Sequence, residues 1–121
     1  MSPRLRTPPK TLPLKTSALR SSVPIFAALG DETRLRLVAV LCAGGAMSIT
    51  QLTSGTDITR QAVTKHLQVL ADAGMVHDLK VGRERLWKFE PAPLVEARRS
   101  LDAIGQQWDY ALNKLKMAVE R

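Results

Sequence analysis

The 121 residues contain one cysteine, two histidines, two tryptophans, two phenylalanines and one tyrosine. A lone cysteine excludes an internal disulfide framework. His66 and His77 have no nearby serine, cysteine or paired acid, so they form no catalytic set. With no phosphate-binding loop and no metal cluster either, we expect no enzyme and no cofactor. No apolar run approaches the ~20 residues of a membrane-spanning helix. The basic N-terminal residues are not followed by the apolar core of roughly 7–15 residues that a signal peptide carries. These absences predict a cytoplasmic chain without a membrane partner. With so few aromatics the core must be aliphatic, and a hydrophobic content of 45% is ordinary for a globular domain. The length suits one domain with a modest core.

Acidic residues are missing from positions 1–30, which hold Arg4, Arg6, Lys10, Lys15 and Arg20. The remaining 13 basic and 11 acidic residues nearly balance, so this segment carries most of the net charge of +7. Such an arm either favours polyanions through counterion release or simply solubilises the chain. Pro3, Pro8, Pro9 and Pro13 lie within residues 1–21, which are expected to be disordered or extended.

Folding is expected to start near Ser22, with Pro24 in the first turn of a helix that Gly30 ends. Asp31 caps a second helix over about 32–43, whose predicted apolar stripe is Leu35, Val38, Leu41 and Cys42. On that stripe Cys42 is a small core hydrophobe; a redox role would need an exposed thiol. Ser48 caps a short third helix, Ser54-Gly55-Thr56-Asp57 form a turn, and Thr59 caps a fourth helix ending at Gly74. Val63, Leu67 and Leu70 face the core at i, i+4 and i+7, which leaves Thr59, Arg60, Gln61, Thr64, Lys65 and Gln68 outside. Residues 75–81 and 84–89 read as two strands around Gly82-Arg83. The last helix, from about Pro93 to Val119, repeats Leu94, Leu101, Trp108 and Leu115 every seven residues, with Ala97, Ile104, Ala111 and Ala118 three places later. Such a seam suits pairing with a second helix.

The order of helix, polar turn, helix, strand, basic turn and strand is that of a helix-turn-helix with a β-hairpin wing. The expected class is mainly α with a small β-hairpin (α+β). Residues 22–91 would form the winged domain and residues 92–121 a C-terminal dimerisation helix. Arginine can bridge guanine O6 and N7, glutamine can bridge adenine N6 and N7, and lysine suits phosphate. Arg60, Gln61, Thr64 and Lys65 are therefore candidates for double-stranded DNA, together with Thr59, Gln68 and the wing residues Arg83 and Arg85. His66 either reaches phosphate or packs beneath the helix.

From Phe26 to Phe89 the chain resembles the ArsR/SmtB-type winged-helix repressors. The likeness rests on ALGDETRLRLVAVL at 28–41, SITQLTSGTDITRQAVTKHLQVLADAGMV at 48–76 and VGRERLWKFEP at 81–91. It implies a dimeric DNA-binding regulator, usually a repressor, with the fourth helix in the major groove. It also exposes a departure. Where metal-sensing members resemble E-L-C-V-C-D-L, this chain has Ser48 and Thr50 in place of the thiolates, and its last helix has Asp102 and Asp109 but no histidine. Hydroxyls are poor ligands for soft metals, so no metal response is expected. The resulting expectation is a homodimer that binds an imperfect inverted repeat and represses transcription. Ile25, Phe26, Leu29, Leu94, Leu101, Ile104, Trp108, Ala111, Leu112 and Leu115 would lie in its interface. Two alternatives remain: a repressor released by an organic effector or oxidant at that interface, and a protein-interaction winged helix without a DNA role.

Overall fold

The computed structural model describes residues 16–120. Five helices and three short strands follow in the order α1 (Thr16–Leu29), α2 (Glu32–Gly44), β1 (Met47–Ser48), α3 (Ile49–Ser54), α4 (Arg60–Asp72), β2 (Val76–Val81), β3 (Glu84–Phe89) and α5 (Pro91–Val119). The sheet is antiparallel with β3 in the centre, β1-β3-β2. The mainly helical winged helix-turn-helix expected from the sequence is what forms.

Three expectations need correction. The first helix begins at Thr16, not near Ser22, and Pro24 lies inside it. A proline there denies the carbonyl one turn earlier its amide donor. Packing outweighs that local cost: Ile25 and Ala28 are buried, and Ser22 is buried against α5. The part of the 1–21 tail at residues 1–15 lies outside the described residues.

The second correction concerns α2. Its buried residues are Leu37, Val38 and Leu41, whereas Leu35 and Cys42 are exposed. Val38 and Leu41 are buried as expected, while Leu37 and the half-buried Arg34, rather than Leu35 and Cys42, complete the inward face. The third correction is β1. Two residues carry no alternation to read, and Met47 and Ser48 become strand only by pairing with Trp87 and Leu86.

Local chemistry accounts for the boundaries. The Asp31 carboxylate accepts from the Arg34 amide at 3.0 Å and caps α2. Ser48 and Gln51 form a reciprocal capping box on α3. Gly74, at φ 78°, closes α4: the Met75 amide donates to the Leu70 carbonyl and the Gly74 amide to Ala71, a Schellman arrangement. Gly82, at φ 64°, takes the first central position of the two-residue turn of the wing.

One aliphatic core joins these elements. Val63, Leu67, Leu70 and Met75 are wholly buried among Leu37, Leu41, Leu52, Val76 and Trp87. The first turns of α5 complete it through Ala97, with Leu94 half-buried against it. Ile25 also belongs to this core, and Leu29 packs half-buried on it. Beyond Ser100, α5 leaves the domain, and Leu101, Ile104, Trp108, Leu112 and Leu115 are exposed.

Candidate nucleic-acid interface

Burial of Val63, Leu67 and Leu70 fixes the roll of α4 and turns Arg60, Gln61, Thr64, Lys65 and Gln68 outward. Thr59 is the N-cap, its hydroxyl accepting from the Ala62 amide at 3.1 Å. Arg60 Nη1 donates to Thr50 Oγ1 on α3 at 2.8 Å. The Thr64 hydroxyl donates back to the Arg60 carbonyl at 2.8 Å, and Gln68 Nε2 donates to Asp72 Oδ1 at 3.0 Å. Gln61 and Lys65 are exposed between them.

His66 is turned inward, where it meets Arg34. The Arg34 guanidinium donates through Nε to the Ala28 carbonyl at 2.6 Å, and its Nη1 lies 3.2 Å from His66 Nδ1. A guanidinium only donates, so Nδ1 accepts in this contact. Asp31 Oδ2 stands 3.8 Å from the same ring nitrogen. The Arg34 backbone amide holds the Asp31 carboxyl below its usual range, with the charge of Arg34 adding to the effect. Of the two readings left open for His66, this geometry fits packing beneath the helix: the ring ties α4 to the α1–α2 junction.

On the wing, Arg83 is exposed at the tip. Arg85 Nε donates to Asp78 Oδ2 at 2.6 Å, and its guanidinium lies 5.1 Å from the centre of the Trp87 ring. The Asp78 carboxyl is held down chiefly by that hydrogen bond. The hairpin register pairs Lys80 with Arg85 and Asp78 with Trp87, so Asp78 is the diagonal neighbour of Arg85. An open cleft of about 630 Å³ runs between α3, the start of α4 and the wing, lined by Ser48, Ile49, Thr50, Gln51, Arg60, Glu84 and Arg85. It brings two of the sequence-predicted residues, Arg60 and Arg85, to one site.

Sequence patterns assign no place in this interface to Thr50, Arg34 or Asp78. A two-residue turn at Gly82-Arg83 would have revealed Asp78 by register alone; Thr50 and Arg60 are joined by tertiary packing that no spacing rule encodes. Among the described residues no group of three or more His, Cys, Asp or Glu side chains could share a metal ion. No described helix is long and apolar enough to cross a membrane.

A helix-turn-helix domain model matches residues 29–78, from the end of α1 into β2. A solved ArsR-like transcriptional regulator from Rhodococcus sp. RHA1 superposes with a TM-score of 0.73 at 35% identity, covering 84% of this chain and 95% of that one. An HTH-type transcriptional regulator of Mycobacterium tuberculosis is 34% identical over 96 residues, which span 79% of this chain and 86% of the relative. The chain belongs to the ArsR family of helix-turn-helix transcriptional regulators. The arsenical resistance operon repressor of Escherichia coli is a more distant member, 29% identical over 97 residues and 80% of each chain. As an ArsR-family protein the chain is a DNA-binding transcriptional regulator, and α3–α4 is its helix-turn-helix.

Proposed function

We propose that this ArsR-family regulator acts as a homodimer that represses transcription by occupying an imperfect inverted repeat, without responding to metal. The observation that carries the DNA-facing assignment is Arg60 at the first position of α4, in a first turn with no acidic residue. Backbone amides at a helix start favour anions and disfavour cations. A cation placed there works against the helix and in favour of an anionic partner, and backbone phosphates are such a partner. Exposed Gln61 beside it and Thr64 and Lys65 on the next turn supply groups for base edges and further phosphates, with Thr59 and Gln68 at the two ends of that face. Arg83 at the wing tip suits the flanking backbone or minor groove.

A second copy of the chain would cover the apolar side chains that α5 exposes. Leu101, Ile104, Trp108, Leu112 and Leu115 are exposed on α5, as are Ala111 and, on α1, Phe26, and large exposed apolar patches mark interaction sites. Ile25, Leu29 and Leu94 support that face from within their own chain's core. Two-fold pairing would set the recognition helices about 34 Å apart, one turn of DNA. The donor set favours an effector other than a soft metal, since the α3 positions carry hydroxyls. The test is DNA affinity of the Arg60→Ala, Lys65→Ala double variant: a large loss supports the reading, whereas unchanged affinity assigns this face another partner.

A further inference from the structure

We propose that Thr50 is a positioning residue for DNA recognition: from α3 it sets the direction of the Arg60 guanidinium at the mouth of the cleft between the recognition helix and the wing. This rests on the assignment of α4 to DNA and concerns a residue outside the face that α4 itself presents.

The Arg60 side chain is exposed, and a free arginine has many rotamers to lose on binding. A hydrogen bond formed before DNA arrives removes part of that loss. Thr50 is suited to the task. Its β-branched side chain has few χ1 options. The helix that carries it is fixed at one end by the Ser48–Gln51 capping box and below by Leu52, which is buried. Its hydroxyl takes one Arg60 N–H at 2.8 Å. A guanidinium has five such donors in a rigid fork, so four remain for base edges or phosphate.

The cleft also contains a competitor. Glu84 lines the β3 side of the same space. Arg85 next to it is already engaged by Asp78, so Glu84 lacks that arginine as a neutralising partner. An untethered Arg60 could swing towards Glu84 and withdraw from the DNA face. The Thr50 hydroxyl holds it on the α3 side without adding charge.

The experiment compares full-length wild type, Thr50→Val, Thr50→Ser, Arg60→Ala and the Thr50→Val, Arg60→Ala double variant. Affinity is measured for a duplex selected by the wild type from random DNA and for a scrambled duplex, with melting temperatures recorded alongside. Thr50→Val should lower the selected-to-scrambled affinity ratio about tenfold, the scale of one well-placed arginine contact. Thr50→Ser should restore most of it, and the double variant should discriminate no worse than Arg60→Ala alone. Two results overturn the inference while leaving DNA recognition by Arg60 intact: an unchanged ratio in Thr50→Val where Arg60→Ala loses discrimination, or a Thr50→Val loss that persists in full on the Arg60→Ala background. Wild-type behaviour of Arg60→Ala itself would instead remove the assignment beneath the inference.

Discussion

Ser22 on α1 and Ser100 on α5 meet hydroxyl to hydroxyl at 3.0 Å, with both side chains buried. The contact lies where α5 is about to leave the domain, and Ser22 has a second contact with the Ala18 carbonyl at 3.3 Å. It ties α1 to α5 at the last buried residue before the exposed half of α5.

Removing one hydroxyl leaves the other buried with fewer partners. Ser100→Ala should therefore cost about 1–2 kcal/mol. Ser22→Ala, Ser100→Ala together should cost less than the sum of the single changes. Urea unfolding of the four proteins measures the coupling; strict additivity would mean that the two hydroxyls do not depend on each other.

Trp108 is 62% exposed in a single chain, so it contributes little to the fold of that chain. If it is buried by a second copy, Trp108→Ala should weaken dimerisation by about 3–5 kcal/mol while leaving helicity intact. Sedimentation at micromolar concentration checks this, and an unchanged dimer would remove Trp108 from the interface.

Asp31 links the α2 cap to the recognition helix through Arg34 and His66. Its native pKa lies below the unfolded value of 3.8 because the Arg34 amide stabilises the charged form. The sign follows from linkage: the stabilisation is present above the unfolded pKa and is lost as the pH falls through the lower native one. Asp31→Ala should melt below wild type at neutral pH, and the gap should close on acidification below the ordinary aspartate range. A gap that stays constant down to the strongest acid the fold survives would show that the carboxylate charge is not the cause.

Cys42 is exposed on α2, away from the α3–α4–wing cleft. A thiol-specific disulfide reagent should label it in the folded protein, and Cys42→Ser should keep the wild-type affinity for DNA in oxidising and reducing buffer. Labelling only after unfolding would contradict the exposed position. A loss of affinity on oxidation in the wild type alone would make the thiol a switch.

Much of this architecture was legible from residues with strong local rules. Asp31, Ser48 and Thr59 cap the helices they were expected to cap, and β3 spans 84–89 as its alternation indicated. The rules failed where tertiary contacts outweighed them. Pro24 looked like a helix start because proline suits a first turn, yet the helix runs from Thr16 through it, and Ser22, before the proline, is already packed on Ser100. The α2 stripe was right at Val38 and Leu41 and wrong at Leu35 and Cys42, because half-buried Arg34 bridges the Ala28 carbonyl and His66 on the inward face, a role its charge conceals. The seam of α5 was read as one surface, although its first turns pack on their own domain and the exposed part starts at Leu101. The candidate site was visible as a set of residue types on one helix face. Its internal wiring, Thr50 to Arg60 and Asp78 to Arg85, depends on contacts between elements.

The most direct test of the central claim is selection of genomic DNA by the purified full-length chain, followed by a salt titration of the best duplex in fluorescence anisotropy. The account predicts an imperfect inverted repeat with half-site centres about one helical turn apart, bound at least about a thousandfold more tightly than scrambled DNA at physiological salt. Weak, steeply salt-dependent binding to all sequences alike would contradict it.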